Sequence, residues 1–202
     1  MKKIEMIWRE ILFQVLEKKN REFTQKELAQ DLGVSTSTIF QALKTPRQMG
    51  AVRVTGRFFI VEDWEKLLYH WASVRNLQKD IMFSAHVNLP VFEIEGLMPP
   101  AVVFGCYSSA RQWLKAPPAD YDAVYVYAEN ISWFKERFEF LAAKRASAGR
   151  ANVIILKSDT LLFRYGHITT LAQTFVDLWN LADWQAKDFT KALKEKIDGL
   201  LS

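Results

Sequence analysis

The sequence predicts an α+β protein of two domains, an N-terminal group of short helices closed by a β-hairpin and a C-terminal small α/β sheet domain. Three observations predict it. Apolar residues recur at helical spacing over the first forty-odd positions and then give way to a strand pattern at residues 52–61. From Pro90 onward, short apolar runs with strand character alternate with helical stretches. The surplus positive charge is confined to one end of the chain. Residues 1–61 hold eleven Lys/Arg against six Asp/Glu, leaving sixteen against seventeen for the remainder. The expected layout is residues 1–62 as the first domain, 63–89 as a helical connector and 90–202 as the α/β domain.

Half of the 202 residues are hydrophobic and a quarter are charged, an ordinary balance for a chain that buries a core. There is no run of 18 apolar residues, so no membrane partner is expected. The basic start is followed at once by Glu5, Arg9 and Glu10, which leaves no uncharged core for a signal peptide, and a cytoplasmic protein is the expectation. Cys106 is the single cysteine, so neither an internal disulfide nor a multi-cysteine metal site can form.

Ile4, Ile7, Trp8, Ile11, Val15 and Leu16 make one apolar stripe, hence an amphipathic first helix. Thr24 followed three residues later by Glu27 is a capping box that starts a second helix, with Leu28, Ala29 and Leu32 inward. Gly33 suits the left-handed position that ends a helix. Ser35 then caps a third helix, with Ile39, Phe40 and Leu43 inward. Pro46 is expected to end that helix near Lys44 and to begin a separate turn. Two short strands around Gly56 follow as a hairpin.

A helix, a tight turn and a second helix present the start of the latter to a DNA major groove. The candidate DNA-binding residues are Thr24 and Gln25 at the second helix start, and Ser35, Thr36, Ser37, Thr38, Gln41, Lys44 and Arg47 along the third. Arg53 and Arg57 on the hairpin complete the set. The polar ones reach phosphates or base edges, and the cations neutralise phosphate. From Leu32 to Phe59 there is no acid at all, as a polyanion partner requires.

These segments resemble the winged helix-turn-helix of prokaryotic transcriptional regulators. The likeness rests on Phe23-Thr24-Gln25-Lys26-Glu27-Leu28-Ala29, on Leu32-Gly33-Val34-Ser35, and on Met49-Gly50-Ala51-Val52 leading into the hairpin. It implies a sequence-specific regulator whose partner is double-stranded DNA.

In the second domain, strands are expected at residues 101–105, 121–127, 152–156, 161–164 and 174–178, and helices at 107–114 and 132–143. A last helix capped by Asp183 is expected to turn Trp184, Phe189, Leu193 and Ile197 inward. His70, His86 and His167 lack metal-ligand spacing and read as structural, and Cys106 beside an apolar run reads as a buried thiol. The turn at residues 103–109, followed by strands near Asp122 and Asp177, resembles a nucleotidyltransferase core, in which Ser108, Asp122 and Asp177 would form the centre. Two-metal chemistry needs a second acid two residues along one strand face, and that position is Val124. The resemblance therefore implies a degenerate nucleotidyltransferase-like fold. The expectation is a non-enzyme with no cofactor and no metal, and a divergent metal-dependent nucleotidyltransferase is the alternative.

The stretch Thr174-Phe175-Val176-Asp177-Leu178-Trp179-Asn180-Leu181-Ala182-Asp183-Trp184-Gln185-Ala186-Lys187-Asp188-Phe189 is similar to the C-terminal part of AbiEi-type regulators of viral-defence toxin–antitoxin systems. That family joins a winged helix to an α/β domain, and its members repress their own promoter. The resemblance implies a repressor, an antitoxin role and a cognate toxin as partner. The second domain would then serve dimerisation (a homodimer), small-molecule effector sensing or partner binding.

Overall fold

The computed structural model describes residues 1–144 and 149–201. Helix α1 (Lys3–Glu17) is followed by a short strand β1 (Glu22–Thr24), α2 (Gln25–Leu32) and α3 (Thr36–Gln48). The hairpin is β2 (Val52–Thr55) and β3 (Phe58–Val61), turning at Gly56-Arg57. Strand β1 pairs antiparallel with β3, placing Phe23 opposite Phe59 with the rings stacked 5.2 Å apart. A three-stranded sheet, β1-β3-β2, thus closes the first lobe.

Three helix ends in this lobe follow local chemistry. The Thr24 hydroxyl accepts from the Glu27 N–H at 3.1 Å, the N-cap half of the expected capping box, while the Glu27 carboxylate accepts from the Thr24 hydroxyl at 2.7 Å in place of the Thr24 backbone N–H. Gly33, at φ +62°, lets α2 stop while Val34 N–H reaches back to the Ala29 carbonyl. Gly50, at φ +74°, does the same for α3, with Ala51 N–H on the Pro46 carbonyl and Gly50 N–H on that of Arg47.

Pro46 does not end α3 as expected; it lies inside a helix that runs on to Gln48. Proline has no N–H for the carbonyl four residues back, which is Ala42. The Trp8 indole Nε1–H from α1 fills that vacancy, donating to the Ala42 carbonyl at 2.8 Å in the buried core. The orphaned acceptor is thereby satisfied from another helix.

The stretch 63–89 is only partly helical. Helix α4 (Trp64–Val74) is followed by a 3-10 turn at Leu77–Asp80 and then by strand β4 (Ile81–Ala85), which is the edge of the second sheet. The rest comprises α5 (Val91–Gly96), β5 (Val103–Gly105), α6 (Cys106–Leu114), β6 (Val124–Ala128), α7 (Ser132–Lys144), β7 (Val153–Lys157), α8 (Leu171–Trp179) and α9 (Trp184–Leu201). The sheet order is β4-β7-β6-β5, with β6 and β7 parallel and the other neighbours antiparallel.

Two expected strands are absent from their positions. Residues 162–165 form a 3-10 turn, and residues 174–178 belong to helix α8. Every residue from Leu171 to Leu178 is buried, so Gln173, Thr174 and Asp177, which share one side of α8 at helical spacing, turn into the protein and mark no solvent face. Trp184 is also not inward, being 69% exposed, while Phe189, Leu193 and Ile197 are buried as expected.

Both faces of the second sheet are covered. Val124, Val126, Val153 and Ile155 meet Phe134 and Phe138 of α7 on one side. Tyr125, Tyr127, Ile154 and Leu156 face the other side, toward a core shared with α6, α8 and α9. That core continues without a break into α1, α2, α3 and α4.

Paired charges are buried along this junction. Arg9 of α1, with no exposed surface, donates to both oxygens of Asp159 at 2.7 and 2.6 Å and to Gln173 at 3.2 Å. Arg75 donates to Asp177 at 3.0 Å, Asp80 at 2.6 Å and the Tyr127 oxygen at 3.1 Å, and lies 3.5 Å from Glu5. Glu10 accepts from Arg164 and from the Tyr165 hydroxyl.

Two outcomes follow from these contacts. Replacing Trp8 by Phe strands the Ala42 carbonyl and is expected to cost about 1–3 kcal/mol in urea unfolding. In a Pro46→Ala background, where residue 46 supplies its own N–H, the same change is expected to cost less. The second concerns Glu17, whose carboxylate accepts from the Leu171 N–H at 2.9 Å. Burial raises its pKa from 4.5 to about 7, against the lowering effects of Leu171 and Lys18. The folded protein then holds a proton that the unfolded chain releases, so this group's contribution is intact below pH 4.5 and is lost as pH rises toward 7. Glu17→Gln is expected to remove that decline, seen as a smaller stability difference between pH 4.5 and pH 7 than in the parent.

Candidate nucleic-acid interface

Helix α3 divides cleanly. Ile39, Ala42, Leu43 and Pro46 are buried, while Thr36, Ser37, Gln41, Lys44 and Arg47 are exposed on the opposite side. The face carrying most of the sequence-predicted DNA contacts is therefore open to solvent.

The structure divides the candidate residues by what their side chains already do. Ser35 accepts from the Thr38 N–H at 3.2 Å, and its hydroxyl lies 2.8 Å from those of Ser37 and Thr38. Ser35 and Thr38 thus build the start of α3, and Thr24 caps α2 in the same way. Gln25 is half-buried at the α2 start. Thr36 and Gln41 project from the first turns of α3, where base edges are read. Arg53 is exposed but forms an ion pair with Glu62, so its charge is partly neutralised. Arg57 sits at the hairpin tip and is exposed.

A groove of about 530 Å³ brings several of these together. Thr24 at the end of β1, Gln25, Lys26 and Glu27 from α2, Thr36 from α3, and Arg57 and Phe58 from the hairpin line it, so it holds one carboxylate, Glu27, which accepts from the Thr24 hydroxyl. A second, shallower depression of about 370 Å³ is lined by Phe40, Lys44, Arg47 and Gln48 along α3.

Phe40 corrects the sequence reading. It was expected inward, yet it is 47% exposed and lies on the same face as Gln41 and Lys44. Phe58 on the hairpin is likewise exposed, at 43%. The signal for Phe40 was present in the spacing: Ile39 and Leu43 share the inner stripe, and Phe40 lies one step beyond it. Exposed rings on a polar face are suited to thymine methyl groups or sugar edges.

Residues 8–57 match the family described as HTH domain. The HTH domain spans most of α1 through the hairpin turn and supports a DNA-binding regulator. No curated protein and no solved structure matches the chain. Among the described residues, no helix is long and apolar enough to cross a membrane.

Outside the HTH domain, the residues of the nucleotidyltransferase resemblance lie on separate elements and differ in burial. Asp177 is buried on α8, where its two oxygens accept from Arg75 Nε and, at 2.6 Å, from the Tyr127 hydroxyl. Asp122 lies in the exposed segment before β6, and Ser108 is buried in α6. Among the described residues no group of three His, Cys, Asp or Glu side chains is placed to hold a metal ion. Cys106 is the first residue of α6, directly after β5, at φ +44°, and burial pushes its thiol well above the usual range. Of the three histidines, His70 packs edge-on against Trp8, His86 Nδ1 meets the Arg150 carbonyl at 2.7 Å, and the His167 carbonyl accepts from the Phe104 N–H.

Truncating an exposed ring leaves packing intact, so Phe40→Ala is expected to change unfolding stability by no more than about 0.5 kcal/mol. Its affinity for the preferred duplex is expected to fall, as read by fluorescence anisotropy.

Proposed function

We propose that this chain is a sequence-specific transcriptional regulator that docks α3 in the major groove of double-stranded DNA. The hairpin lies along the adjoining backbone. The exposed, acid-free outer face of α3 carries the proposal. Acids at that face would repel phosphate, and burial would forbid docking; neither holds for Thr36, Ser37, Gln41, Lys44 and Arg47.

On this reading the residues take distinct roles. Lys44, Arg47 and Arg57 neutralise phosphates, Thr36 and Gln41 read base edges, and Ser35, Thr24 and Thr38 hold the helix starts that aim them. Two copies on a palindromic operator would place their α3 helices one duplex turn apart, and a homodimer is the assembly that fits this mode. The likeness to AbiEi-type regulators supports the further reading of a repressor with an antitoxin role toward a cognate toxin. The second lobe has no catalytic step in this proposal; it serves assembly, effector sensing or partner docking.

Selection from a random duplex pool is expected to return an enriched sequence. On that sequence, Lys44→Gln or Arg57→Gln should weaken binding to every duplex and lower the salt slope by about one unit each. Gln41→Ala should instead change which bases are preferred. Binding that is insensitive to salt, or a pool with no enrichment, overturns the proposal.

A further inference from the structure

We propose that the cleft between the two lobes binds a small anionic ligand bearing a phosphate or a similarly charged group. The cleft has a volume of about 580 Å³ and opens among the start of α1, the turn between α2 and α3, and the carboxyl end of β7. Its size suits a metabolite rather than a single ion.

Charge identifies the ligand class. Lys2, Lys3, Lys79 and Lys157 line the cleft from three separate segments and are all exposed. Its carboxylates are already occupied. Asp80 and Glu5 are paired with Arg75, and Asp159 is held by both terminal nitrogens of Arg9. Four lysines therefore line the space, and among the described residues none of them is paired with a carboxylate. Converging cations of this kind attract phosphate more strongly than a neutral metabolite.

Two further observations mark this cleft as a built site. The Ser158 hydroxyl is buried at its wall and has no hydrogen-bond partner among the described residues. A side-chain rotation that brings this unmatched hydroxyl to the cleft would let it donate to a phosphate oxygen. The residue also follows β7 directly, and its N–H bonds the last carbonyl of β6, at Ala128. Crevices at the carboxyl ends of parallel strands are where α/β sheets bind ligands.

The DNA-reading groove lies at the other end of α2. Thr24 and Gln25 at the α2 start line that groove, whereas Leu32, Gly33 and Val34 at its finish line the cleft. Eight residues of helix separate them by about 12 Å. A bound anion would draw the segment 157–160 toward the start of α1 and the turn that sets the angle of α3. Any effect on duplex affinity rests on the function proposed above; occupancy of the cleft does not.

The test is calorimetric titration of the full chain with inorganic pyrophosphate and with ATP, each without DNA and at physiological salt. Saturable binding of at least one at a single site is expected. The double variant Lys79→Gln/Lys157→Gln should weaken it about ten-fold or more, and Ser158→Ala should weaken it on its own. Unfolding curves that match the parent establish that these variants fold. Without ligand, the double variant should bind duplex as the parent does. Absence of saturable binding by either probe, or binding that the substitutions leave unchanged, overturns the site. Loss of duplex affinity by the double variant without ligand also overturns it, since the lysines would then be contacts to the DNA backbone.

Discussion

A guanidinium taken out of water must meet an opposite charge, and Arg9 finds its counter-ion only in the other lobe. Its helix, α1, is the first of the HTH domain, whereas Asp159 follows the last strand of the second sheet. Removing one member of such a pair leaves a buried charge uncompensated, at a cost of about 3–5 kcal/mol. The lobes are consequently joined by electrostatics as well as apolar contact. Arg75 repeats the device, reaching Asp177 of α8 and Tyr127 of β6 from the end of α4.

This constraint explains why α1 carries charges where a simple amphipathic helix would have water. Ile7, Trp8, Ile11, Leu12, Val15 and Leu16 are buried, and so are Glu5, Arg9 and Glu10. One side supports α3, directly through the Trp8 bond to Ala42, and the other meets α8. With α1 enclosed, the recognition face is set outward by the same packing that joins the lobes. A duplex docking on α3, as proposed, would engage a helix backed by α1 and α4, and α1 in turn meets α8.

The sequence made the first lobe legible because its signals are local. Thr24, Gly33 and Ser35 mark helix ends by chemistry that acts within a few residues, and Gly56 marks the hairpin turn. The failures occurred where tertiary structure decides. Pro46 is a helix breaker unless another donor takes the stranded carbonyl, and Trp8 is 34 positions away from Ala42. Helix α8 reads as a strand when only residues 174–178 are taken; the helical spacing of Gln173, Thr174 and Asp177 is present but points into the protein, where the partners are set by tertiary structure. Strands β1 and β4 are recognisable only through distant partners, β3 and β7. For the site, exposure of Thr36, Gln41 and Lys44 followed from the spacing of Ile39 and Leu43, and that of Arg57 from its place in the turn after Gly56. The capping duties of Ser35 and Thr38, the Arg53–Glu62 pair and the outward Phe40 did not.

The acids of the second lobe show how the same residue types can suggest chemistry in a sequence and serve cohesion in a fold. Asp177 entered the sequence reading as one acid of the nucleotidyltransferase resemblance, on a segment expected to be a strand. Its purpose in the structure is visible in its bonds: one oxygen meets Arg75, the other the Tyr127 hydroxyl. Burial drives the Tyr127 phenol well above its usual range, aided by the charge of Asp177, so the hydroxyl remains a donor. A carboxylate held on both oxygens is committed as a counter-ion. The acids that line the inter-lobe cleft, Glu5, Asp80 and Asp159, are committed in the same way. What this leaves exposed there is lysine, so the junction that fixes the lobes together also determines the sign of the charge it presents to a ligand.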